Sequence, residues 1–109
     1  MIDITTALCN VTRIVAINQA LREDLSAAMK EAQTADTDID VSTNVRGYKQ
    51  AVDSLSACIS ACVGPGLLSQ SDDVVVTARV LEGKMKAKLR EALQVVEKEL
   101  RVGTVSIHL

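Results

Sequence analysis

The sequence predicts an all-α protein: three long antiparallel helices in an up-down-up bundle or coiled-coil-like arrangement, ending in a short extended C-terminal tail. Three observations carry this prediction. Apolar residues recur every three to four positions through three segments. Only two stretches, 34–40 and 64–71, have the composition of loops. The chain has 109 residues, 48% of them hydrophobic, which suits one domain that buries about two-thirds of its unfolded surface.

The first helix is expected over about 4–34. Ile4, Val11, Asn18, Leu25 and Ala32 share one heptad position, and Ala7, Ile14, Leu21 and Ala28 share the position three residues on. Leu8, Val15 and Met29 form a flanking column that widens the stripe, and Asp3 is suited to cap the start. The second helix is expected over about 41–63. Val41, Val45, Tyr48, Val52, Leu55, Ile59 and Cys62 step alternately by four and three. Asp40 or Ser42 is suited to cap this segment, and Gly64-Pro65 ends it because proline cannot continue the hydrogen-bond ladder.

The third helix is expected over about 72–102. Ser69, Ser71, Asp72 and Asp73 form a start signal. Val74-Val75-Val76 has local strand character, but Val74, Ala78, Leu81, Met85, Leu89, Ala92, Val96 and Leu100 keep helical steps throughout. Glu82 with Lys86 and Glu97 with Arg101 are expected as i,i+4 pairs on the outer face. Gly83, in mid-helix, is expected at a kink or close contact. In the tail, 103–109, Val105, Ile107 and Leu109 alternate with polar residues, which reads as extended.

Composition narrows the function. No segment reaches the length of an apolar membrane span, and Met1-Ile2-Asp3-Ile4 lacks the features of a secretory signal. Three cysteines cannot all pair within one chain, so free thiols in the cytoplasm are expected. A net charge of −2 and a single aromatic residue, Tyr48, argue against nucleic acid as a partner. Lys84, Lys86, Lys88 and Arg90 spread around a helix and read as a solvated face. Asp36, Asp38 and Asp40 alternate like a calcium loop, but Val41 and Gly47 stand where that loop needs Gly and Glu. Asn10-Val11-Thr12 is a glycosylation sequon without a secretory context. The one histidine, His108, offers no base beside a nucleophile, and there is no Gly-rich phosphate loop. Catalysis, a cofactor and a small-molecule substrate are therefore not expected.

What remains is a non-enzymatic protein–protein interaction or assembly module, an adaptor or scaffold subunit that self-associates or accepts a partner helix. The expected surface is the groove between the first and third helices, with Leu8, Val15, Met29, Met85 and Leu89 at its margin. Asn18, polar within an apolar column, is the candidate for setting register, with Ser56 as its intramolecular partner. The alternative is a thiol-based metal-binding or redox protein using Cys9, Cys58 and Cys62, with His108 as a fourth ligand only if the tail folds back. Cysteines acting as small buried hydrophobes are the simpler expectation, and no metal ligand set is assigned.

Overall fold

The computed structural model describes the backbone of residues 4–108 and the side chains of residues 13–99. It consists of three helices, α1 (Ile4–Asp38), α2 (Val45–Cys62) and α3 (Asp73–His108), with no strand among the described residues. Contacts between the helices fix their directions. Asp36 meets Tyr48, Asp24 meets Cys58 and Leu21 meets Cys62, so α2 descends as α1 ascends. Arg22 meets Asp72 and Asp36 meets Lys88, so α3 ascends with α1.

These pairings also fix the register. The start of α3 lies level with Arg22, leaving the first half of α1 below the bundle. The end of α1 lies level with Lys88, leaving about the last half of α3 above it. Two rods of about 50 Å, slid past each other by about 27 Å, account for the 83 Å long axis and the 25 and 18 Å short axes. At 18 residues, α2 is half the length of its neighbours and alone sets the height of the three-helix core.

That core is built where all three stripes meet. Tyr48, Val52, Leu55, Ile59 and Cys62 of α2 are buried against Leu25 and Ala32 of α1 and Val75, Ala78, Leu81, Met85 and Leu89 of α3. Leu68 seals the lower end at 2% exposure. It is placed there by a tight turn over Gly64-Pro65-Gly66-Leu67, in which the Leu67 amide donates to the Gly64 carbonyl at 3.0 Å. Gly66 has φ +76°, the value the third position of a type II turn requires and one that only glycine adopts cheaply. The Leu68 amide then donates to the Cys62 carbonyl at 3.0 Å, tying the loop to the end of α2.

Several local expectations change. α1 continues through Thr34 to Asp38, because Thr34 and Thr37 return their hydroxyl hydrogens to the carbonyls of Lys30 and Gln33 and Asp36 is held by Tyr48 and Lys88. α2 starts at Val45, not 41, and its cap is Asn44, whose side-chain oxygen accepts from the Gly47 amide at 2.9 Å. Asp40 instead holds the preceding turn by accepting from the Ser42 amide and hydroxyl, while Val41 still packs on the core. Asp72 caps α3, accepting from the Val74 amide at 3.0 Å.

The extended tail expected over 103–109 is helical through His108. Alternation there has no strand to pair with, whereas continuing the helix satisfies each amide locally, and Leu100, Gly103 and Ile107 also fit helical spacing. Residue 109 lies outside the described residues, as does Asp3, the expected cap of α1.

Gly83 makes no close contact: a Cβ there would have nothing within 4 Å. Glu82, expected on the outer face, is only 7% exposed. Burial pushes its carboxyl up, but the nearby Ser56 hydroxyl, Lys86 (3.4 Å) and Arg79 (3.5 Å) outweigh this and hold it below its ordinary range.

Candidate interaction site

The residues expected to line a groove between α1 and α3 fall into three environments. Met85 and Leu89 are core residues, 0% and 9% exposed, because the middle of α3 packs directly against the rest of the bundle and closes the groove there. Met29 is half-buried against that core. Val15, by contrast, is 62% exposed on the part of α1 below the bundle. The side chain of Leu8 lies outside the described residues, although its backbone belongs to the same stretch of α1.

Instead of one groove, the described residues leave apolar side chains open on two arms, besides Val76 and Val80 on the bundle segment of α3. On the α1 arm, residues 4–20, Ile14, Val15 and Ile17 all face solvent. On the α3 arm, residues 93–108, Leu93 and Val95 do so, and Val96 is half-buried. The heptad columns include Ile14, but they do not single out Ile17, Leu93 or Val95. The usable signal was the excess length of the outer stripes over the middle one, since a stripe longer than its partner runs past it uncovered.

Asn18 lies at the root of the α1 arm. Its Oδ1 is buried and has no hydrogen-bond partner among the described residues. The expected partner, Ser56, is at the wrong height. Leu21 is level with Cys62, so Asn18 lies beside the α2–α3 loop, while Ser56 lies about 13 Å further along the bundle.

At the other end, the α1–α2 loop and the root of α3 enclose an open groove of about 690 Å³. Ile39, Val41, Ala92, Val95 and Val96 form its apolar part, and Asp36, Tyr48, Lys88, Glu91 and Glu99 its polar part. Its polar floor is tightly tied. The Tyr48 hydroxyl donates to Asp36 Oδ1 at 2.7 Å, and Lys88 Nζ donates to the same oxygen at 2.9 Å. Tyr48 above all, then Lys88 and Lys84, outweigh the effect of burial and hold the Asp36 carboxyl below its ordinary range. Burial and the adjacent carboxylate push the Tyr48 phenol well above its ordinary range.

The basic run of α3 is consequently not a free cationic surface. Lys84 and Lys88 pair with Asp36, and Lys86 pairs with Glu82.

Of the sulfur set, Cys58 and Cys62 come together, with Sγ atoms 4.0 Å apart and no disulfide. Cys62 is 3% exposed, and burial followed by the neighbouring Cys58 pushes its thiol up to about 11. The expectation that Cys9 approaches them does not hold within one chain. Its backbone lies about 18 Å below Leu21 along α1, and that of His108 is at the far end of α3. Among the described residues there is no group of three or more His, Cys, Asp or Glu placed to hold a metal ion.

No described helix is long and apolar enough to cross a membrane. Compared with known proteins, the chain matches no family model, no curated protein sequence and no solved structure.

Proposed function

We propose that the chain is a non-enzymatic interaction or assembly module, an adaptor or scaffold subunit that self-associates or accepts a partner helix. The observation that carries this reading is the exposure of large apolar side chains on the arms beyond the core. Ile14, Val15 and Ile17 on one arm and Leu93 and Val95 on the other are 45 to 62% exposed. Large apolar side chains grouped along one helical stretch mark a contact surface more often than a solvated one. Both arms are helices, so the natural complement is another helix laid along them. The free thiols Cys58 and Cys62 fit a cytoplasmic setting.

Size-exclusion chromatography with light scattering on the full chain tests this reading. A species that grows with concentration above 11.6 kDa, or a stable complex with a designed amphipathic helix, is the expected result. A monomer at every concentration that also binds no such helix would refute it.

The thiol-based alternative has one observation in its favour, the 4.0 Å approach of Cys58 and Cys62. Against it, a thiol pushed up to about 11 is a poor nucleophile and a poor metal ligand near neutral pH. Zinc near one equivalent in the purified protein would favour the alternative; slow alkylation of Cys62 in the native state would favour burial as its role.

A further inference from the structure

We infer that the occupant of each arm is a second copy of this chain, joined head to tail: the α1 arm of one copy lies along the α3 arm of the next. This rests on the interaction-module reading and adds the partner and the geometry.

The two arms match. Residues 4–20 and 93–108 are each about 25 Å of helix, they project from opposite ends of the bundle, and they run in the same direction. A copy stacked above another along the long axis lowers its α1 arm beside the α3 arm that rises to meet it. The two helices then run parallel, as α1 and α3 already do inside the core. Each stripe continues the one that core packing uses: Ile14 and Ala7 extend the Leu21–Leu25–Ala28–Ala32 line, and Val96, Gly103 and Ile107 extend the Met85–Leu89–Ala92 line. One kind of joint thus covers both open faces.

Two further features fit this occupant. Arg13 is the only Asp, Glu, Lys or Arg among residues 4–20, in a chain where such residues make up 24%, so the α1 arm carries little of the charge that keeps a helix in water. The open groove at the root of the α3 arm, with Ile39, Val41, Ala92, Val95 and Val96 on its apolar side, lies where the beginning of an incoming α1 would arrive. A two-fold pairing of α1 arms would leave the α3 arms and this groove uncovered. With about 16 residues on each side the joint falls below the 20 to 30 of a standard interface, so assembly is weak and depends on concentration. Because the joint is heterologous, it propagates into an open chain or closes into a ring.

Complementation in the full chain tests this. Ile14→Glu with Ile17→Glu spoils the α1 arm, and Leu93→Glu with Val96→Glu spoils the α3 arm. Each double variant alone is expected to sediment as a monomer of 11.6 kDa, and a one-to-one mixture to give a species of twice that mass, since each partner retains the arm the other needs. If one variant still self-associates, or the mixture stays monomeric while the wild type assembles, head-to-tail joining is wrong and self-association by another route remains. Amide hydrogen exchange on the wild type gives a second readout free of any folding defect. Protection at 4–20 and at 93–108 is expected to rise together with concentration. A rise on the α1 arm alone identifies two-fold pairing and overturns the joint, and no rise on either arm with a monomeric wild type overturns both the joint and self-association.

Discussion

Tyr48→Phe removes one hydroxyl from the middle of the fold and tests how the top of the bundle is held. Tyr48 is 1% exposed, and its hydroxyl donates to the Asp36 carboxylate at 2.7 Å. A hydrogen bond to a charged group contributes about 1.5–3 kcal/mol. The phenylalanine ring fills the same space, and Asp36 keeps Lys88 at 2.9 Å and Lys84 at 3.7 Å, so the carboxylate is not orphaned. The loss should therefore fall at the lower end, about 1.5–2 kcal/mol, lowering the thermal midpoint by about 5–10 °C. Helix signal in circular dichroism, followed by temperature and by urea, measures both. Since Tyr48 is the only aromatic residue, phenolate absorbance in the wild type reports this site alone. Its folded pKa lies above the ordinary 10.0, so its contribution is fully present below pH 10 and is lost as pH rises through the folded value. Phenolate should appear only as the helices melt. Stability unchanged within about 0.5 kcal/mol, below the range for such a bond, or a phenol titrating near 10 with helicity intact, would refute this account.

Four further outcomes follow from the same packing. Gly83→Ala, at an exposed mid-helix site with open space around the new methyl group, should stabilise the protein by about 0.5–1 kcal/mol in urea unfolding. Met85→Ala should cost about 2–5 kcal/mol, the range for a core cavity; a loss under 1 kcal/mol would mean that Met85 is a surface residue after all. Asp36, Asp72 and Glu82 are all held below their ordinary values, so the native state binds fewer protons than the unfolded chain. Their contribution is present above about pH 5 and should fall away as pH drops through 4 and below, seen as a falling urea midpoint. Asn18→Leu removes a buried oxygen without a partner and should raise stability by about 1 kcal/mol in urea unfolding while broadening the distribution of assembled species in sedimentation; an unchanged single species would count against a register role.

The candidate surface was only partly legible in advance. Val15 is exposed where partner contact was expected, but Met85 and Leu89 lie in the core. All three satisfy the same spacing rule, and spacing reports that a residue lies on an apolar face, not whether that face meets a neighbour. What separates them is height along the bundle. That height follows from pairings such as Arg22 with Asp72 and Leu21 with Cys62, which join residues 50 and 41 positions apart. Glu82 makes the same point from the other side. Its i,i+4 partner Lys86 was identifiable, but its burial depends on the face α2 presents to it.

By itself the sequence determined three helices, their order and the residues that make their stripes, because helical periodicity, Gly64-Pro65 and the acidic start of α3 act over a few residues at a time. Tertiary structure alone decided how far the helices slide past one another, which stripe segments are covered and which run on as bare arms, and that Asp36 rather than a loop solvates Lys88 and Tyr48. The physical reason is that local hydrogen bonding sets a helix's existence, whereas its offset is set by the sum of many small side-chain contacts, and those contacts exist only once the short α2 has chosen where along its longer neighbours to lie.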